Sequence, residues 1–162
     1  MKLIKVGNKE YQLEFTFAAA ECRELVQKMF NVLTMSYVSK DMSISEMENG
    51  MDKNKKLGGF MNGVAEMVSD IPHICNTAFY AGLLENNPMS EEDSKALMRA
   101  YMKENKLSFN ALFENLKTYM EDDGFFDLSG LTEMLQTMNG AEQKEQKVTK
   151  IPQDHKKPTG TK

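Results

Sequence analysis

Apolar and polar residues alternate strictly at the start of the chain. Leu3-Ile4-Lys5-Val6 and Glu10-Tyr11-Gln12-Leu13-Glu14-Phe15 run in period two around Gly7-Asn8-Lys9, which predicts a β-hairpin. Tyr11, Leu13 and Phe15 share one face, and Glu10, Gln12 and Glu14 share the other. One side is therefore buried and one wet. A lone hairpin is marginal in water, so this one must lie on helices.

The period then changes to 3.6. Thr16 is placed to cap a helix with Phe17, Ala18, Ala19 and Ala20 in its first turn, continued by the stripe Cys22, Leu25, Val26, Met29, Phe30 and Leu33. Residues 36–58 lose the pattern and predict a long mobile connection with room for a short helix. From Gly59 onward, Phe60, Met61, Val64, Met67 and Val68 form a stripe that Pro72 is expected to interrupt, with Ser69 or Asp70 capping a restart. The next stretch, Ile74 to Leu84, is apolar on nearly every side and belongs in the middle of a bundle.

Ser90 followed by Glu91, Glu92 and Asp93 is a helix start with acids in the first turn; Leu97, Met98, Tyr101 and Met102 follow at helical spacing. Ser108 predicts another cap, Leu107 and Leu112 a hydrophobic staple, and Gly124 the end of that helix. Asp127 is placed to cap a last helix with the stripe Leu128, Leu131, Met134, Leu135 and Met138. The expected fold is mainly α: an N-terminal β-hairpin packed on a bundle of five to six helices. Residues 1–140 form a single domain in this reading, and 141–162 a disordered basic tail.

Composition narrows the function. No run of about 18 apolar residues occurs, and charges interrupt each apolar stretch of the N-terminus, so neither a membrane span nor a secretory signal is expected. Cys22 and Cys75 are the two cysteines; without a close-spaced motif they suit a reducing cytoplasm, a bridge between them being the alternative. Residues 1–140 carry 14 Lys and Arg against 21 Asp and Glu, and residues 141–162 carry 6 Lys against 3 acids. An acidic body argues against nucleic acid as a partner, because phosphate binding needs clustered cations.

Candidate chemistry is thin. His73 and Cys75 flank Ile74 without an orienting partner, and a capping-turn His beside a small buried Cys is the simpler account. In Glu121-Asp122-Asp123-Gly124, a calcium loop with its glycine at Gly124 would put Tyr119 where the first acidic ligand belongs. Gly58-Gly59-Phe60-Met61-Asn62-Gly63 lacks the Lys-Ser/Thr ending of a phosphate loop. No catalytic, cofactor-binding or metal-binding residues are expected, and the protein is read as a binder of other proteins and not as an enzyme.

Fourteen methionines are many for 162 residues. Their unbranched, polarizable side chains repack readily against varied partners, although core filling explains those at stripe positions. Met42, Met47 and Met51 differ, since they stand in the polar connection and are spaced as one face of a segment that folds on a partner. With Tyr101, Met102, Phe125 and Phe126 they make up the expected partner-binding set, burial in the protein's own core being the alternative for each.

The stretches GNKEYQLEFTFAAAECRELVQKMF, DIPHICNTAFYAGLLENNPMSEEDSKALMRAYMKEN and DDGFFDLSGLTEMLQTMN resemble the tail assembly chaperones of long-tailed (siphovirus-type) bacteriophages and prophages of Gram-positive bacteria. The resemblance covers residues 1 to about 140 and rests on the order and phrasing of segments, since this family has no catalytic signature. It implies a mostly helical protein of the host bacterial cytoplasm that coats the tape measure protein and keeps it soluble. It also implies recruitment of the tail tube protein, self-association along the tape measure, and absence from the mature virion. A longer form made by frameshifting is common in the family. The alternatives are a minor virion structural or connector protein and a nucleic-acid-binding phage regulator. The regulator has only Lys95, Arg99 and Lys103 among the acids of its best helix.

Overall fold

The computed structural model describes residues 1–39 and 53–138. It has the expected hairpin, β1 (Lys2–Val6) and β2 (Lys9–Leu13), antiparallel with Ile4 opposite Tyr11 and Val6 opposite Lys9. Gly7 takes φ +60 at the first turn position, a conformation open to glycine and the reason a two-residue turn closes here. Ile4, Leu13 and Phe15 are buried, so the alternation read from the sequence places the right face inward. The polar edge of β2 is tied down by other elements. Gln12 N–H donates to Asn87 Oδ1 at 2.7 Å, Glu14 N–H to the Gly82 carbonyl at 2.8 Å, and Phe15 N–H to Asp123 Oδ2 at 2.9 Å.

The expected first helix is two. α1 (Phe17–Glu21) ends at Cys22, whose extended backbone (ψ 90) also starts α2 (Arg23–Leu33). Thr16 makes no side-chain cap hydrogen bond. Ala19 before the break and Met29 after it are both fully buried in one core. Met35 then takes φ 51, and α3 (Ser36–Ser39) follows within the span expected to be a mobile connection.

The largest correction concerns Pro72. No restart occurs there: α4 runs without interruption from Lys53 to Leu83, 31 residues and about 46 Å long. It begins inside the span expected to be loop and takes Gly58 and Gly59 into its turns. An interior proline costs about 3 kcal/mol relative to alanine. Ile71, Ile74, Cys75, Ala78 and Phe79 are all buried around it. Each large apolar side chain among them contributes about 1.5–3 kcal/mol by burial, so packing outweighs the missing hydrogen bond. Tyr37 of α3 adds a tie, its hydroxyl donating to Asp70 Oδ2 at 2.6 Å.

The remaining caps are largely as read. α5 (Glu91–Asn105) starts at Ser90, whose Oγ accepts from Asp93 N–H, and α6 (Phe109–Asp122) starts at Ser108, whose Oγ accepts from Ala111 N–H. Gly124 (φ +75) closes α6. Asp127 does not cap the last helix. It lies inside the four-residue α7 (Phe125–Leu128), and a turn at Gly130 (φ +75) separates α7 from the helix over residues 131–138, α8. Among the described residues, α4 is the central strut: α1, α2, α3, α5, α6 and β2 all pack on it. The expected tail, residues 141–162, lies outside the described residues.

Candidate partner-binding surface

The expected contact residues that are described differ in burial. Phe125 takes the buried alternative: it is fully enclosed, its ring edge-on to Phe15 at 6.4 Å and to Phe126 at 5.4 Å. Its place directly after Gly124 aims it inward, against the hairpin. Phe126, Tyr101 and Met102 are half-buried and pack on the core. Tyr101 lies 6.2 Å from Phe79; burial, with Tyr101 beside it, holds the Tyr119 hydroxyl above its ordinary pKa. Met42, Met47 and Met51 lie outside the described residues.

Exposed apolar side chains are found elsewhere: besides Met1, Leu3 and Met35, they fall in two groups. The first is the N-terminal half of α4, where Leu57 is 60% exposed, Met61 57%, Val68 49% and Phe60 43%. These residues continue the stripe that becomes Ile71, Cys75 and Ala78 in the core. The second group is Phe17 of α1, 69% exposed, with Leu128 of α7 and Met134 and Met138 of α8. α1 and α7 pack against each other, and Leu131 anchors α8 in the core. Periodicity marks both groups in the sequence, but a stripe carries the same signal whether its cover is its own core or another molecule.

The polar side of α4 is organised differently. Glu24 Oε1 lies 3.8 Å from Lys28 Nζ, 4.0 Å from His73 Nε2 and 3.3 Å from the Thr77 hydroxyl that donates to it; Lys28 Nζ is also 3.7 Å from Asp70. Burial and the Asp70 hydrogen bond hold the Tyr37 proton far above the usual tyrosine range. A depression of about 220 Å³ beside this cluster is lined by Cys22, Glu24, His73, Asn76, Thr77 and Lys95, among others. His73 stands mid-helix and exposed, not in a capping turn. Both cysteines are free. Cys75 is buried, its Sγ donating to the Phe109 carbonyl at 3.5 Å, and burial pushes its thiol up to about 12, so it offers no thiolate near neutrality.

Asp123, part of the acidic run that imitates a calcium loop, is used structurally. One carboxylate oxygen accepts from Phe15 N–H and the other pairs with the Met1 ammonium. No group of three His, Cys, Asp or Glu side chains able to hold a metal ion occurs among the described residues. No helix among them is long and apolar enough to cross a membrane.

No family model, curated protein or solved structure matches the chain. Helices whose apolar stripes leave the core for solvent are equipped to take up apolar helices of another chain, in the helix-in-groove manner.

Proposed function

We propose that the protein is a tail assembly chaperone of a long-tailed bacterial virus. It coats the tape measure protein in the host cytoplasm, keeps it soluble and recruits tail tube subunits, and is left out of the mature virion. The observation that carries this reading is the pair of exposed apolar groups on α4 and on α1, α7 and α8. A long client made of amphipathic helices presents apolar stripes that need cover until assembly, and exposed Met, Leu and Phe side chains supply it. Methionine suits the task because its flexible thioether follows successive, non-identical turns of a client. The resemblance of the three quoted stretches to this family points the same way.

Coating also requires that copies stand side by side along the client. The test is co-expression with the tape measure protein of the same genome, followed by pull-down and a solubility assay. Several copies recovered per soluble tape measure chain are expected. A tape measure that precipitates regardless, with nothing co-purifying, overturns the reading. Recovery of the protein in purified particles would argue for a structural component instead.

A further inference from the structure

We propose that β1 offers its outer edge to an extended, acidic segment of another protein, which joins the hairpin as a third, antiparallel strand. This edge is separate from the apolar stripes above, so its test is independent of the client.

The pairing within the hairpin fixes which backbone groups face outward. A turn of two residues, Gly7 and Asn8, makes Val6 and Lys9 a hydrogen-bonded pair, and the register repeats this at Ile4–Tyr11 and Lys2–Leu13. The backbone groups of the residues in between therefore point away from the other strand. On β2 this phase is visible in the bonds that Gln12 N–H and Glu14 N–H make to Asn87 and Gly82.

On β1 the corresponding groups are the N–H and C=O of Leu3 and Lys5. No described residue hydrogen-bonds to them. Both residues are exposed, Leu3 at 59%. Glu104 closes the turn end by accepting from Gly7 N–H, so the open stretch runs from Lys5 back to Lys2. One edge of the hairpin is spent and the other is not. A free edge of this kind is the template on which an extended segment adds, its main chain supplying the bonds and alternate side chains the selectivity.

Charge selects the segment. β1 carries Lys2 and Lys5 and no acid. Lys2 is engaged over the Tyr119 ring, 5.5 Å from its centroid, which leaves Lys5 to meet a partner. Lys5 faces Glu10 across the hairpin, and a carboxylate on the open side pairs with it in the same way. Antiparallel pairing then orders the partner. Its residue opposite Lys5 comes two before its residue opposite Leu3, and both side chains lie on the outer face. The fitting segment has Glu or Asp followed two residues later by an apolar residue. A second copy of β1 fits poorly, because it would bring its own Lys2 and Lys5 and no carboxylate to the same edge.

The experiment uses the full-length protein and a fluorescein-labelled, end-blocked peptide of sequence Ser-Thr-Glu-Thr-Val-Thr-Ser, with a second peptide in which Lys replaces Glu. Fluorescence anisotropy should show the Glu peptide binding at least about tenfold more tightly than the Lys peptide. Lys5→Pro removes an outward N–H and no bond of the hairpin ladder, so circular dichroism should be unchanged while affinity falls at least about tenfold. Lys5→Glu, also at an exposed position, should reverse the preference between the two peptides. By NMR, the Leu3 and Lys5 amides should exchange fast in the free protein and slowly with the Glu peptide bound. Absence of binding, equal binding of the two peptides, or a Lys5→Glu variant that keeps the original preference would each overturn the proposal. So would amides already protected in the free protein; protection that grows with protein concentration would assign the edge to a second copy instead.

Discussion

The two halves of α4 carry the same apolar stripe into opposite surroundings. From Ile71 to Leu83 the helix is enclosed, with Ile74, Cys75 and Phe79 fully buried under α2, α5, α6 and the hairpin. From Leu57 to Val68 the stripe is largely bare, while the polar side of that half carries the Tyr37–Asp70 tie to α3. The difference teaches that the periodicity of a helix states that a face will be covered but not by what. Inside a fold, cover comes from the same chain and stabilises it; outside, it stays available to other molecules.

Substitutions in each half should therefore differ in size and even in sign. The largest effect is expected from Phe79→Ala, which removes a fully buried ring at the centre of the enclosed half and should cost about 3–5 kcal/mol in urea denaturation. If it costs under about 1 kcal/mol, the two halves do not differ as described. Next is the thiol of Cys75. Its pKa rises from an ordinary 9.0 to about 12, and its side chain is buried. Native protein should then show at most one rapidly reacting thiol, from half-buried Cys22, and both only in denaturant. The sign for stability follows: below pH 9 both states keep the Cys75 proton and nothing is lost. Between pH 9 and 12 the unfolded chain releases it and the folded chain does not, so stability falls as pH rises through that window.

Two glycines sharpen the contrast. A Cβ at Gly82 would lie 2.9 Å from the Phe15 ring and 3.2 Å from Leu13. Gly82→Ala should therefore destabilise by about 1–3 kcal/mol despite alanine's better helix propensity. At Gly58, in open space on the bare half, Gly58→Ala should instead raise stability by up to about 1 kcal/mol. The smallest effect is expected from Met61→Ala, within about 0.5 kcal/mol, because its side chain contributes little to its own core. A loss of several kcal/mol there would mean that the bare half is part of the folding core.

Local signals are legible in the sequence and long-range ones are not. Leu13 and Phe15 inward, Ser90 and Ser108 as caps and Gly124 as a stop all follow from chemistry within four residues, and the structure places them so. Pro72 misleads because its cost is local while its compensation comes from α2, α3 and α5, far away in sequence. The break at Cys22 has no local mark either: the stripe from Cys22 to Leu33 reads as a continuation of the turn at Phe17–Ala20. For the surface, the stripes at 57–68 and 128–138 are visible in the sequence, where nothing separates them from core stripes. Phe125 stands in the expected contact set with burial as its alternative, and the fold takes the alternative, against Phe15. Exposure is a property of the assembled fold, and a pattern along one helix does not contain it.

The sealed edge of the hairpin has a consequence for how this protein meets others. An open strand edge invites a passing strand to extend the sheet, the first step toward fibrils and gelled inclusions. Here the outward N–H groups of Gln12 and Glu14 are already spent on Asn87 and Gly82, and Gly7 N–H donates to both Glu104 oxygens at 3.1 and 3.0 Å. Along β2, side chains choose the neighbours, and the backbone of that strand does not.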